Sequence, residues 1–239
     1  MSSQFGGPQG PQGPRQPYPQ FGGPQPYARP AIGGSTLSAV MGLLGMSALF
    51  TAGGALVSTY LGGAGYLIGL IGMFVTLIAL QFLRERTPIN LILMFAFATL
   101  VGFMLGAILE AYVAAGLGNL VLAAAGATGA VSVVAGFVGY TTKRNLTRLG
   151  PALFIALLAL IVAIVIGFFV HLAALQMLIS AAGAVIFTLF LAVDLNRVAR
   201  TEVASQGTVI MLAVSVYLDI LNLVLFLLSL LGMTSGSRR

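Results

Sequence analysis

The chain has no cysteine and no tryptophan, and its one histidine is His171. Without cysteine, disulfides, thiolate metal sites and cysteine nucleophiles are excluded. Only 7% of the 239 residues are charged and 59% are apolar, whereas about a quarter of the residues in a soluble domain are charged. The composition therefore excludes an ordinary soluble protein and predicts an all-α integral membrane protein.

Acidic residues are also few, five against eleven basic ones, which gives a net charge of +6. In a soluble chain this balance would suggest a nucleic acid partner. Here the basic residues stand in short segments between apolar runs, which is the pattern of membrane topology signals. We therefore predict the lipid bilayer as partner and no nucleic acid.

Residues 1–34 hold eight of the ten prolines and contain FGGPQ twice. A segment so poor in large apolar residues cannot bury a core. It also lacks the apolar region of a signal peptide. We predict a disordered tail rich in Pro, Gly and Gln, either merely solvated or binding partners. A helical domain follows at 35–233, and a short C-terminal tail at 234–239.

Seven apolar runs follow the tail, each long enough to cross a hydrocarbon layer of about 30 Å at about 1.5 Å per residue. They cover residues 37–58, 64–83, 89–113, 118–140, 151–170, 172–193 and 208–231. Gly53 and Gly54 interrupt the first run, and the fifth and sixth meet at a short hinge near His171. Six spans with a re-entrant last segment are therefore the alternative to seven.

The charges of the loops predict how the protein is oriented in the membrane. Nine basic residues fall on one side if the spans alternate: Arg15, Arg29, Arg84, Arg86, Lys143, Arg144, Arg148, Arg197 and Arg200. The positive-inside rule makes that side cytoplasmic and puts the N-terminus inside. Arg238 and Arg239 disagree and favour the six-span alternative. The prevalence of Arg over Lys, with abundant Ala and Gly, suggests a bacterial plasma membrane.

Small residues recur at helical spacing where helices are expected to touch. Gly65 and Gly69 stand four residues apart, as do Gly102 and Gly106. Each pair lies on one helical face, and this spacing lets backbones approach closely. We interpret both pairs as packing contacts within the chain rather than as a dimerisation motif; the oligomeric state is not predicted.

Two of the five acids, one at the end of an apolar run and one inside a run, have no evident source of water. Glu85 and Glu202 stand in basic loops, and Glu110 lies near the outer end of the third run, either reaching water or lining an outer vestibule. Asp194 closes the sixth run three residues before Arg197, a possible ion-pair partner. Asp219 stands near the middle of the last run, where an isolated charge costs about 3 to more than 10 kcal/mol.

The last run carries a polar stripe that includes Asp219. At about 100° per residue one narrow face collects five polar residues: Thr208, Ser215, Asp219, Asn222 and Ser229. This face is expected to meet protein or water. Hydrogen bonding between helices would explain the stripe, but an ion or proton path explains a carboxylate better. If Asp194 and Asp219 approach each other they would share a proton, although sequence alone does not establish the approach.

Four segments make the chain resemble the Bax inhibitor family, the transmembrane Bax inhibitor motif proteins, over most of residues 80–232. They are NLILMFAFATLVGFMLGAILEAY, TTKRNLTRLGPALF, FTLFLAVDLNRV and AVSVYLDILNLVLFLLSLLG. The resemblance implies seven helices with the last surrounded by the other six, and a pH-sensitive calcium leak.

The resemblance also assigns roles to residues. The aspartate pair that senses pH in bacterial members matches Asp194 and Asp219, which would also contact calcium, and an arginine that competes for the first of them matches Arg84. From the polar stripe, Ser215 and Asn222 are predicted to line the same path. An acid and a basic residue of some relatives fall at Met73 and Ser229 and are absent here. Calcium and protons are thus the expected ligands, with no resident cofactor.

Two functions other than a calcium leak are also compatible with a multi-pass membrane protein. A non-conducting regulator that binds other membrane proteins would need no ion path. An intramembrane aspartyl protease also uses two aspartates in late helices, but it needs GxGD where this chain has VYLD at 216–219. We therefore predict that the protein is not an enzyme. A metal site built on the lone His171 is not favoured.

Overall fold

The fold, in a computed structural model that describes residues 36–170, 172–202 and 204–236, is a set of seven α-helices. They are α1 (Thr36–Leu61), α2 (Gly63–Leu83), α3 (Ile89–Ala114), α4 (Gly118–Thr141), α5 (Gly150–Phe169), α6 (Ala173–Arg200) and α7 (Gln206–Gly236), with a 3-10 turn at Leu146–Leu149. Each is long and apolar enough to cross a membrane. The predicted all-α, seven-span class is confirmed. The 1–34 tail, His171 and Arg238–Arg239 lie outside the described residues.

The apolar runs form helices because they lie in the hydrocarbon layer of the membrane. Hydrocarbon offers no hydrogen-bond partners, so a spanning segment satisfies its backbone internally. The α1–α2 and α3–α4 connections each contain a glycine with positive φ, Gly62 at 55° and Gly116 at 73°. This conformation costs glycine little because it has no Cβ. The first helix runs unbroken through Gly53 and Gly54. The 31 residues of α7 extend about 46 Å, long enough to cross a membrane as one continuous helix, which favours seven spans over the re-entrant alternative.

Close backbone contact joins α1, α2 and α3. A Cβ built on Gly102 would lie 2.9 Å from the backbone nitrogen of Ala55 in α1, and one on Gly69 would lie 2.6 Å from the backbone oxygen of Leu100 in α3. Side chains cannot fit at such distances. The prediction that these glycines let helix backbones approach is confirmed.

The last helix packs extensively on α6, α4 and α1, and to a smaller extent on α3. Its buried residues include Ile210, Ala213 and Leu223, each at most 1% exposed. Among the described residues, α2 and α5 share no comparable packing with α7. The finer prediction, that all six other helices surround the last one, is not confirmed.

Hydrogen bonds gather the basic connections at one end of the bundle. The Thr87 hydroxyl donates to the side-chain oxygen of Gln206 at 3.2 Å, which ties the α2–α3 connection to α7. Asn196, 1% exposed, donates to the Gly139 carbonyl at 2.8 Å and accepts from the Leu146 amide at 3.0 Å. Arg200 donates to the Lys143 carbonyl. We call this the basic end.

Candidate functional site

A cavity of about 460 Å³ lies between α5, α6 and α7 and contains both intramembrane aspartates. We call it the aspartate cavity. Eight of its lining residues are apolar: Leu157, Leu160, Ile161, Ile164, Phe187, Phe190, Leu218 and Phe226. The four polar ones are Asp194, Ser215, Asp219 and Asn222. Three of the four belong to the predicted stripe of α7.

Asp219 is the more enclosed acid. Its side chain is 6% exposed, and its Oδ2 is buried without a hydrogen bond to any described residue. Asp194 on α6 is half-buried and lines the same cavity. The structure therefore brings the two carboxyl groups to one cavity, which the sequence alone did not establish.

Ser215 connects the two acids. Its hydroxyl lines the aspartate cavity together with the Asp194 carboxylate. Asp219 follows one helical turn later in α7, about 6 Å along the axis. Arg197 lies about one turn further along α6 than Asp194 and, like Ser215, lines a neighbouring cavity. Helix α7 thus presents a hydroxyl opposite one acid and a carboxyl group one turn deeper.

A second cavity, of about 280 Å³, lies beside the first at the basic end. We call it the arginine cavity. Its lining is Arg84, Glu85, Arg197, Gly207, Thr208, Met211, Leu212 and Ser215. Ser215 is the residue common to the two linings. The polar stripe of α7 therefore runs from the basic end, through Ser215, into the aspartate cavity.

Other predicted site residues take different positions. The Arg84 side chain lies 3.8 Å from Glu85 and lines the arginine cavity, so the structure does not bring it to Asp194. Asn222 donates to the Leu218 carbonyl at 2.8 Å, which leaves its amide oxygen for the cavity. Glu110 is exposed on α3 and is not part of the aspartate cavity lining. Ser229 bonds Ser180 of α6 at 3.0 Å.

The sequence did not predict the three phenylalanines that line the aspartate cavity, Phe187, Phe190 and Phe226, which we call the aromatic wall. Phe187 stacks on Phe226 with ring centroids 5.7 Å apart, and Phe190 lies 6.0 Å from Phe187. Sequence reasoning also did not single out Asn196, although a polar residue two positions after Asp194 was a usable signal. For the phenylalanines no such signal existed, because they stand in segments that are apolar throughout.

Comparison with known proteins gives bacterial relatives of similar length. YccA of Escherichia coli strain K12, named a modulator of the FtsH protease, is 30% identical over 198 residues, covering 81% of this chain and 87% of YccA. The same protein of Escherichia coli strain CFT073, 30% identical over the same shares, is named an inner membrane protein. The uncharacterized protein YrjE of Lactococcus lactis is 33% identical over 179 residues, covering 72% of this chain and 75% of YrjE.

These names describe a protease modulator, an inner membrane protein and an uncharacterized protein, and none of the three is the name of an enzyme. Together with the seven apolar helices, they support a multi-pass protein of a bacterial inner membrane. The family model described as "Inhibitor of apoptosis-promoting Bax1" matches residues 34–236, which includes every described helix. The segments that suggested a resemblance lie within this range, and the chain belongs to the Bax inhibitor family.

Proposed function

We propose that this protein provides a pH-regulated path for calcium, with Asp194 and Asp219 as a coupled proton sensor. The observation that carries the proposal is that both acids line one cavity, where Asp219 is 6% exposed with an unbonded carboxyl oxygen. Two carboxyl groups in such surroundings are expected to hold one proton between them. Their joint charge then depends on pH, and so does the attraction of the cavity for a cation.

The oxygen donors of the cavity suit passage of calcium rather than storage. Calcium takes six to eight oxygen ligands, and the side chains of Asp194, Asp219, Ser215 and Asn222 offer part of such a set. Within the described parts of the chain, no three His, Asp or Glu side chains form a metal-binding group. Water would complete the shell, and the weak binding that results allows an ion to leave, as conduction requires.

The arginine cavity supplies the entrance in this proposal. Its basic end faces the cytoplasm by the positive-inside rule, with the N-terminus on that side. Arg84 there would compete with the transported ion for Asp194 after a side-chain movement that releases Glu85. Calcium would enter past Arg84 and Arg197, pass Ser215 and reach Asp219.

Flux through the purified full-length protein tests the proposal. Liposomes containing the protein and a calcium-sensitive dye are exposed to external calcium over a series of pH values. We expect flux above that of protein-free liposomes, changing with pH. Flux equal to that of protein-free liposomes at every pH would contradict a conducting function.

Substitution of Ser215 by leucine is expected to reduce the flux about tenfold or more. The larger apolar side chain would obstruct the contact between the two cavities and remove a polar group from the path, a desolvation barrier of a kcal/mol or more. Ser215→Ala is the matched control, because it removes the hydroxyl without adding bulk. Equal flux in the leucine and alanine variants would show that the ion does not pass Ser215.

Modulation of a membrane protease is a second candidate, supported by the 30% identity with YccA. It requires contact with another membrane protein but no ion path. Co-expression with Escherichia coli FtsH, followed by affinity purification and measurement of substrate degradation, tests it. Co-purification with altered degradation would support this function, and unchanged degradation would contradict it.

A further inference from the structure

The walls of the aspartate cavity are more apolar than a path for a metal ion requires. Eight of its twelve lining residues are Leu, Ile or Phe. Its volume of about 460 Å³ falls within the range of about 300–1,000 Å³ typical of small-molecule sites, which combine apolar walls with a few polar groups. The composition therefore fits an organic ligand as well as an ion.

The carboxyl groups inside the cavity favour a positively charged ligand. Oδ2 of Asp219 is buried without a hydrogen bond from any described residue. The nearby basic side chains act elsewhere, since Arg197 lies by Asp194 and Arg84 by Glu85. A buried carboxyl oxygen without a partner is costly. A positively charged ligand would satisfy it.

The aromatic wall favours an organic cation over a metal ion. Phe187 and Phe226 form a stacked pair, with Phe190 adjoining, and all three line the cavity with Asp219. The face of a phenyl ring attracts a desolvated cation. A metal ion gains little from these rings and finds only part of its oxygen shell among the lining side chains, whereas an organic cation needs one carboxylate and apolar contact.

The cavity also opens toward the lipid. Ile161 and Ile164 of α5 line it and are still 46% and 42% exposed, on a helix whose surface faces the membrane. A lipophilic molecule could therefore enter from the bilayer between α5 and α7, where these two helices do not share extensive packing among the described residues.

We propose that the aspartate cavity binds a lipophilic organic cation, such as an aromatic phosphonium or a protonated aromatic amine. Its charge lies against Asp219, and its apolar groups lie against Phe187, Phe226 and α5. Where calcium uses the same cavity, the bound cation blocks its passage. The blocking effect rests on the proposed function, but the binding does not.

Tetraphenylphosphonium is the probe of choice, because its positive charge does not depend on pH. Radiolabelled probe is titrated onto the full-length protein in lipid nanodiscs, with empty nanodiscs subtracted. We expect saturable binding that falls at least tenfold in Asp219→Asn and about threefold in Phe226→Leu. Glu110→Gln, which alters an exposed acid outside the cavity, should bind as the parent protein does. Neutral tetraphenylmethane should not compete.

Thermal unfolding establishes that each variant is folded, and a misfolded Asp219→Asn is replaced by Asp219→Ser. Absence of saturable binding to the parent protein, or equal binding by the folded Asp219 variant, would overturn the inference. Calcium flux is measured separately in liposomes. Binding without flux in the parent protein supports the inference and contradicts the proposed function, whereas flux without binding supports the function and overturns the inference.

Discussion

Replacement of Asp219 by asparagine is expected to remove most of the pH dependence of calcium flux. Asparagine has nearly the same shape but cannot take up or release a proton. It therefore ends proton sharing with Asp194 and leaves the charge of the cavity to one acid. Where flux through the parent protein changes about tenfold across its titration, equivalent to about 1.4 kcal/mol, flux through the variant should change about twofold or less.

The control for this experiment is Glu110→Gln, an acid that is exposed on α3 and outside the aspartate cavity. Its pH profile should match that of the parent protein. Asp194→Asn should flatten the profile as Asp219→Asn does, because either change breaks the pair. An unchanged profile in both aspartate variants would refute the assignment of the sensor.

The second large effect is expected from Gly54→Ala in α1. A Cβ at this position would lie 3.2 Å from the Cα of Gly102 and 3.1 Å from the carbonyl carbon of Thr99, and it would collide with the Thr99 carbonyl oxygen. These are backbone atoms, so α1 and α3 must separate. Overpacking of this kind costs about 1–3 kcal/mol and occasionally more, and we expect the loss of stability to be at the upper end.

Thermal unfolding in detergent measures this loss, and Gly53→Ala provides the control on the adjacent residue. A Cβ at Gly53 has no atom within 4 Å. Its substitution should leave stability unchanged or raise it slightly, because alanine favours helix over glycine. Similar unfolding temperatures for the two variants would show that the α1–α3 contact tolerates extra volume.

The number and type of helices could be predicted because a membrane protein must cover its whole span with apolar residues. The residues at which the helices end were harder to predict. The sixth run was expected to end at residue 193, yet α6 continues to Arg200. Asn196 and Arg200 extend it by hydrogen-bonding the end of α4 and the following connection, a tertiary contact that hydropathy does not register.

The candidate site was predictable on α7 and at Asp194 of α6, but the relative depth of the two acids and the contribution of α5 were not. A stripe of polar residues on an apolar helix identifies the face that avoids lipid, and Ser215, Asp219 and Asn222 do line the cavity. The depth of Asp194 relative to Asp219 depends on helix ends and tilt, which the sequence does not determine. The face of α5 was equally unpredictable, because no polar residue from 152 to 170 distinguishes one side from another.

The most direct test of the account is whether Asp194 and Asp219 titrate as one unit. Infrared difference spectroscopy of the reconstituted protein follows the carbonyl band of protonated carboxyl groups as a function of pH. We predict that replacing either aspartate by asparagine shifts the titration of the remaining one by about one pH unit or more. Two carboxyl groups that titrate at the same pH values whether or not the other is present would contradict the coupled pair.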